Sequence, residues 1–334
     1  MPVHNSQAHL KEAIGSILAQ TYQNYEFIII DDGSTDGGYK LAQSYKDKRI
    51  KLLRHANNRG IVVSLNEGIR NALGKYIVRM DGDDISLPER VRSQVSYMEK
   101  HPQVGVCGSW IEVFGKQNYI WRTPTESDLI KTRMFFESSI AHPSAIIRKS
   151  VLDQHRLTYD SRFQYVEDYK LWWDISKYAK LANIPQVLLR YRTHDTQIGR
   201  QKTIEQKLAF EQLKNQILIE LVPHPTRTEL NTNVRATDWS PQSNFPELQA
   251  IKKWYEKLLK YNRKRNIYNR KHFIKVLAER WVSKCYLAKS LGPKRYAFAL
   301  TSLPLLIPSL LIVISIKASS ARQYLSATIK RFSP

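Results

Sequence analysis

The chain of 334 residues is long enough for two domains, or for one large domain with an appendage. Its two cysteines, Cys107 and Cys285, lie far apart without further Cys or His clustering, which excludes a disulfide framework and a zinc site. The formal net charge is +22, and residues 247–295 alone carry fifteen Lys and Arg against three Glu. Such a basic tract suits nucleic acid or an anionic membrane surface, and charge alone does not choose between them.

Hydrophobic periodicity predicts that strands and helices alternate over the first hundred residues. In chain order we predict strand 1–5, helix 9–21, strand 26–30, helix 38–45, strand 50–54, helix 61–72, strand 76–80 and helix 88–101. Alternation at this spacing indicates an α/β fold with a mostly parallel sheet and helices on both faces. Ligands of such sheets bind at the carboxyl ends of the strands.

The pattern changes along the rest of the chain. We predict strands over 104–114, 143–147 and 187–192 and a helix over 163–178. Residues 201–295 then read as a helical basic extension, with a helix over 203–221, a polar linker over 223–246 and one or two basic helices over 248–291. The first domain is therefore expected to end near residue 200.

An uncharged run of twenty-one residues covers 296–316. It is long enough to cross a hydrocarbon core about 30 Å thick at about 1.5 Å per residue. Pro304 and Pro308 would kink a spanning helix, so an anchor in the membrane plane and a hairpin buried in the fold are alternatives. With the basic tract before it and the basic tail of 317–334 after it, this segment predicts attachment to anionic lipid at the cytoplasmic face of a membrane.

The predicted strand 76–80 runs directly into the carboxylates Asp81, Asp83 and Asp84. Such a group repels itself and is costly to hold unless a cation neutralises it. Because Asp81 and Asp83 alternate around Gly82, their side chains leave extended backbone on the same side and can bind one divalent ion. The alternative is a solvated turn capped by Asp84, since Asp-Gly and Asp-Asp are common loop residues.

Two more acidic pairs lie at element ends. Asp31 and Asp32 follow the predicted strand 26–30, as the first cluster follows its own strand. Glu167 and Asp168 open the helical part of 163–178, where carboxylates also serve as simple caps because the helix dipole stabilises them.

Several segments of the first 200 residues share an order and spacing with one known family. They are Pro2-Val3-His4-Asn5, residues 16–36 with the Asp-Asp-Gly-Ser-Thr-Asp turn, Asn58-Arg59-Gly60, residues 72–76, Asp81-Gly82-Asp83-Asp84, Pro88-Glu89-Arg90 and Glu167-Asp168 before Leu171-Trp172. Together they resemble the family 2 glycosyltransferases of the GT-A fold. The resemblance implies an inverting transfer from a nucleoside-diphosphate sugar, UDP-linked, to a hydroxyl of a glycan or lipid-linked acceptor, in cell-surface polysaccharide synthesis.

The resemblance also implies a metal site. Asp83 looks like the direct ligand of a Mn²⁺ or Mg²⁺ ion, which offsets charge on the departing diphosphate. Asp81 is similar to the residue that contacts the ribose or reaches the ion through water. His194 falls where many relatives carry a histidine near the diphosphate or metal, and a purely structural histidine is the alternative.

Other residues match the family's nucleotide site. Asp32 resembles the carboxylate that accepts a hydrogen bond from the base, with Asp31 beside it, and Arg59-Gly60 resembles the loop that closes over base and ribose. His4 stands where the family usually has Tyr, which leaves base stacking open. The backbone expected to line the nucleotide is that of Pro2, Val3 and Asn5.

Asp168 matches the family's catalytic base, which takes the proton from the acceptor hydroxyl as its oxygen attacks the anomeric carbon. Glu167 is expected to orient Asp168 or the acceptor. Trp172 is expected to flank a sugar face, although at its spacing a place in the core is the simpler alternative.

Other functions use the same features. A nucleotidyltransferase of this fold would show a glycine-rich basic loop after its first strand, and residues 5–9 offer neither property. A nucleic-acid binder would interleave aromatic side chains with its basic tract, whereas this tract leads into an apolar run. We therefore predict an active transferase with no nucleic-acid partner.

Overall fold

The computed structural model describes residues 1–194, 203–238 and 244–292. The chain forms two compact units: residues 1–130 with 138–209, and residues 131–137 with those from 210 onward. The apolar segment 296–316 and the basic tail 317–334 lie outside the described residues. Among the described helices, none is both long and apolar enough to cross a membrane.

The first sheet lies in unit 1 and is parallel throughout, in the order β1–β2–β3. Helix α1 buries one face against this sheet, because its apolar residues Leu10, Ile14 and Ile17 recur every three or four positions. The elements, all predicted from the sequence, are β1 (Pro2–Val3), α1 (Gln7–Leu18), β2 (Phe27–Asp31), α2 (Gly38–Ser44), β3 (Ile50–Arg54) and α3 (Ile61–Asn71).

The second sheet is mixed, in the order β4–β8–β6–β9–β5, with β7 pairing β6. Its strands are β4 (Tyr76–Val78), β5 (Ile85–Ser86), β6 (Val104–Gly115), β7 (Tyr119–Trp121), β8 (Ile146–Arg148) and β9 (Lys180–Thr193). Strands β6 and β9 run parallel, and the other pairs are antiparallel. The α/β class is confirmed, and the parallel arrangement holds for the first sheet and for β6 with β9.

A cavity of about 750 Å³ separates β2 from β4. Strand β1 pairs with β2 at Ile30 and Asp31. The amino group of Met1 lies at the cavity and donates to Ile28 O at 2.8 Å, and burial lowers the pKa of this amine to about 5.

The remaining helices of the described chain are α4 (Arg90–Lys100), α5 (Ser127–Arg133), α6 (Lys149–His155), α7 (Glu167–Ile175), α8 (Thr203–Leu221), α9 (Arg227–Thr237), α10 (Phe245–Arg265) and α11 (Arg270–Leu287). Strand character predicted over 143–147 is wrong at its start, because residues 142–144 form a 3₁₀ turn before β8. The predicted basic helices of 248–291 correspond to α10 and α11.

The predicted polar linker over 223–246 is wrong for residues 227–237, which form α9. Thr226 accepts from Glu229 N, and Glu229 Oε2 accepts from Thr226 N at 2.8 Å, so both groups satisfy free backbone donors of the helix start. Ala236 in α9 is fully buried, and its carbonyl accepts from the Tyr255 hydroxyl at 2.7 Å. Its mostly polar sequence hid this helix, because only one narrow face is buried.

Candidate active site

The carboxylates that follow β4 come together: Asp81 and Asp83 share one side as predicted, and Asp84 joins them. One oxygen of each of Asp81, Asp83 and Asp84 lies within 4.8 Å of the others. Burial raises the pKa of Asp81 and Asp84, and repulsion from their acidic neighbours adds to the rise. Asp84 Oδ2 is buried without a hydrogen-bond partner among the described residues. Clustered carboxylate oxygens, one of them without a hydrogen-bond donor, fit a hard ion such as Mn²⁺ or Mg²⁺.

Two buried arginines support this cluster. Arg79 donates to the Asp81 carboxylate and is 6% exposed. Arg90 is fully buried, and its Nη2 donates to Arg79 O at 2.7 Å. Sequence reasoning included Arg90 only as part of a motif and missed Arg79, although a lone cation inside the apolar run 76–80 was a usable signal.

Strand β9 ends at the cluster and brings His194 to it. His194 Nε2 lies 3.0 Å from Asp83 Oδ2, and both side chains are about one quarter exposed. Arg192 donates its backbone N–H to Asp84 Oδ1 and its Nε to Asp83 O, both at 2.9 Å. Asp84 is therefore held by β9 and does not cap a helix.

Gly82 lets the carboxylates approach β1. A Cβ atom at this position would lie 2.8 Å from Val3 Cγ1 and 3.5 Å from the Ser6 side chain. The cluster is thus in contact with the segment predicted to line a nucleotide. In that segment Asn5, at φ 49°, accepts from Thr35 N at 2.9 Å and so holds the turn after β2.

Asp31 and Asp32 end β2 in different surroundings. Asp31 is fully buried, with one oxygen 3.2 Å from Arg54 Nε. Asp32 accepts from the backbone N–H groups of Arg59 at 2.8 Å and Gly60 at 2.9 Å. Its side chain is only 6% exposed. The Asp32 carboxylate is therefore bonded to the backbone of the loop that carries Arg59, and these bonds leave it fewer lone pairs for the predicted contact with a base.

Helix α7 begins with Glu167, which is 6% exposed, and Asp168, which is half-buried. Burial, with the charge of Asp168, raises the pKa of Glu167 to about 7. Asp168 Oδ1 accepts from Tyr169 N at 2.7 Å. Of the two carboxyl groups, that of Asp168 is the more exposed.

A buried tyrosine, Tyr159, lies within electrostatic reach of both α7 and the carboxylate cluster. Burial raises the pKa of Tyr159, and the charges of Arg79, Asp168, Glu167 and Asp81 all act on its phenol. The Tyr159 hydroxyl lies 2.9 Å from Nε2 of His142. Sequence reasoning missed both residues, because neither lies near an acidic motif in the chain.

The predicted role of Trp172 at a sugar face is wrong. Trp172 is fully buried, with its ring centroid 5.9 Å from that of His142. A fully buried indole offers no face to a sugar, so the alternative place in the core holds.

Comparisons of sequence agree with this geometry. The model of the family described as Glycosyl transferase family 2 matches residues 1–156. An uncharacterized glycosyltransferase of Haemophilus influenzae is 34% identical over 226 residues, which are 64% of this chain and 70% of the relative.

Solved structures show the same fold. Residues 1–349 of S. aureus TarS, in complex with UDP-GlcNAc, match with a TM-score of 0.58 at 13% identity, over 99% of this chain and 89% of that one. The mannosyltransferase PcManGT of Pyrobaculum calidifontis, in complex with GDP-Man and Mn²⁺, matches with a TM-score of 0.51 at 14% identity, over 93% and 84%. With the sequence relatives, these likenesses establish that the chain belongs to glycosyl transferase family 2 and has the GT-A fold.

Proposed function

We propose that the protein transfers a sugar from a UDP-sugar, with inversion, to a hydroxyl of a glycan or lipid-linked acceptor in cell-surface polysaccharide synthesis. The observation that carries this proposal is the contact, at Gly82, between the carboxylate cluster and the β1 segment. A metal ion bound by this cluster would lie beside a nucleotide bound at β1, as donor binding requires. UDP is favoured over GDP because the TarS structures, which hold UDP-GlcNAc and UDP, match this chain with higher TM-scores than PcManGT, which holds GDP-Man.

Asp83 is proposed to hold a Mn²⁺ or Mg²⁺ ion, with support from Asp81 and His194. The ion would neutralise charge on the diphosphate as it leaves. Asp81 is already oriented by Arg79, and His194 already contacts Asp83. The nucleotide would be lined by Pro2, Val3 and Asn5, with Asp31, Asp32 and Arg59 on the base side.

Asp168 is proposed as the base. Its carboxylate takes the acceptor proton while the acceptor oxygen bonds to the anomeric carbon and the bond to the diphosphate breaks. Glu167, whose pKa is raised to about 7, is partly protonated at neutral pH and so can donate a hydrogen bond. The two neighbouring carboxyl groups would therefore have different roles, Asp168 as the base and Glu167 as a supporting hydrogen-bond donor.

Nucleotide-sugar turnover tests the proposal. The protein is incubated with Mn²⁺, then with Mg²⁺, and with separate UDP- and GDP-sugars, and release of the nucleoside diphosphate is measured. Without an acceptor, water takes its place and the donor is hydrolysed slowly. We expect one UDP-sugar to be hydrolysed faster than the other nucleotide sugars. If no nucleotide sugar is bound or hydrolysed with either ion, the proposed donor class is wrong.

We also propose that α10 contacts an anionic membrane at its cytoplasmic face. Lys253, Lys257, Lys260 and Lys264 are exposed and recur at spacings of four and three, so they share one face, here called the lysine face. Lys257 pairs with Glu229, whereas the other three have no ion pair among the described residues. Unpaired cations on one face suit a surface of negative lipid headgroups.

Reversing the lysine face should release the protein from anionic vesicles. The combined change Lys253→Glu, Lys260→Glu and Lys264→Glu should weaken binding to phosphatidylglycerol vesicles about 100-fold, since each surface cation contributes about 1 kcal/mol. Cosedimentation measures this. The matched control reverses the exposed Lys11, Lys40 and Lys48 of unit 1. Equal losses in both variants would assign binding to net charge and contradict the proposed surface.

A further inference from the structure

His55, just after β3, is a buried histidine held between two carboxylates. Its Nδ1 lies 2.6 Å from Asp32 Oδ1, and its Nε2 lies 2.7 Å from Glu67 Oε2. The side chain is 5% exposed. A neutral imidazole has one N–H, so it can donate to only one ionised carboxylate, whereas the imidazolium donates to both. The geometry therefore suits a protonated ring.

His55 connects four parts of unit 1. Its own backbone N–H donates to Asp31 O at 2.9 Å, which fixes it beside the end of β2. Asp32, which it contacts, accepts from the backbone N–H groups of Arg59 and Gly60. Glu67 lies on α3, the helix that begins directly after this loop. The loop of residues 57–60 is thus held from β3 and α3 through one imidazole.

The charged groups that act on the ring are Asp32 and Glu67. Arg54, the neighbouring cation, is engaged elsewhere: it pairs with Asp31 at 3.2 Å and lies over the Tyr39 ring at 4.1 Å. A buried cation between two acids is stable only while both acids are ionised and close to it. Loss of the proton or of one acid therefore changes how firmly Asp32 is held.

We propose that His55 is a positioning residue for the donor nucleotide: its imidazolium fixes Asp32, and Asp32 fixes the loop that carries Arg59. This inference rests on the proposed function, because it assigns the loop to nucleotide binding. It does not involve the acceptor side, so loosening the loop weakens nucleotide binding and leaves the base Asp168 in place.

The sign of the pH dependence follows from the ring's surroundings. Burial lowers the pKa of His55, but the two carboxylates outweigh it and raise the pKa above 6.5. A raised pKa in the folded state means that the bridge is fully formed below about pH 6.5 and is lost as the pH rises through the folded pKa. Nucleotide binding should weaken over that same alkaline interval.

The experiment measures the Kd of UDP at saturating Mg²⁺ between about pH 6 and about pH 8.5. In the unchanged protein the Kd should rise about tenfold over the pH interval in which His55 loses its proton, here called the break. Glu67→Gln removes one acid that favours the imidazolium, so the break of this variant should move to lower pH. His55→Gln should bind UDP weakly at every pH and show no break. The matched control is Glu99→Gln, which removes another paired glutamate that is half exposed.

Two results would overturn the inference. If Glu67→Gln keeps the pH profile of the unchanged protein and of Glu99→Gln, the bridge does not position the nucleotide. If the imidazole nitrogens of His55 show a neutral ring by NMR at pH below 6.5, the ring does not bridge two ionised acids. Failure of the unchanged protein to bind either UDP or GDP would instead overturn the proposed function together with this inference.

Discussion

The Asp168→Asn variant should lose sugar transfer by a factor of about 10³, while its Kd for UDP changes by less than about twofold. The amide has the size of the carboxylate and keeps an oxygen that can accept from Tyr169 N, so the start of α7 should retain its structure. It cannot take a proton from an attacking hydroxyl. Transfer is measured with the UDP-sugar found by the turnover screen, and UDP binding is measured by calorimetry.

Two variants control this result. Asp174→Asn changes another acid of α7, which pairs with Lys170, and should leave transfer within about twofold of the unchanged protein. Glu167→Gln should lower transfer less than Asp168→Asn, because Glu167 is buried and partly protonated. A larger loss in Glu167→Gln would move the base to that residue, and equal loss of transfer and UDP binding in Asp168→Asn would remove Asp168 from this role.

Local pattern was enough to predict the elements of the first sheet and the acidic cluster. The spacing of Leu10, Ile14 and Ile17 fixes which face of α1 is buried, and it needs no knowledge of distant residues. Asp81 and Asp83 were found because three carboxylates in four residues must be compensated wherever they lie. Both signals are contained in short stretches of chain.

The supporting groups could not be predicted, because they are joined across long separations. Tyr159 feels the charge of Asp81 and contacts His142, yet both residues come from chain segments that carry no acidic motif. His55 and Glu67 each look ordinary alone, and only the packing of α3 against the first sheet, with β1 and β2 beside it, makes them a pair. For Trp172 the sequence left two positions open, the core and a sugar-binding face, and its complete burial decides for the core.

The division of the sheet has the same origin. Strand β4 was predicted from its own apolar run, but its partner β8 comes from residues about seventy positions later. Periodicity reports which side of a strand is buried, and it carries no information on direction or partner. The mixed pairing of the second sheet therefore had to come from tertiary structure.

Asp83→Asn should abolish the part of UDP binding that depends on a divalent ion. In Mn²⁺ the Kd for UDP should rise about 100-fold, because the ion contributes several kcal/mol to binding a diphosphate. In EDTA the variant and the unchanged protein should bind UDP equally and weakly. Calorimetric titration of UDP with each ion and with EDTA measures the Kd for UDP under both conditions.

The direction of this effect follows from the charges around Asp83. The amide keeps one oxygen but removes a formal charge from a cluster whose neighbouring carboxyl groups have raised pKa values. If the cluster bound no ion during donor binding, removing this charge would relieve the repulsion among the carboxylates. The fold would then be stabilised, and UDP binding would not weaken. The control is Asp153→Asn, at an exposed acid paired with Lys149. It should leave the Kd for UDP unchanged both with the ion and in EDTA. An unchanged protein that binds UDP equally with Mn²⁺ and with EDTA would contradict the metal site, and binding loss in Asp83→Asn that persists in EDTA would assign Asp83 to the nucleotide itself.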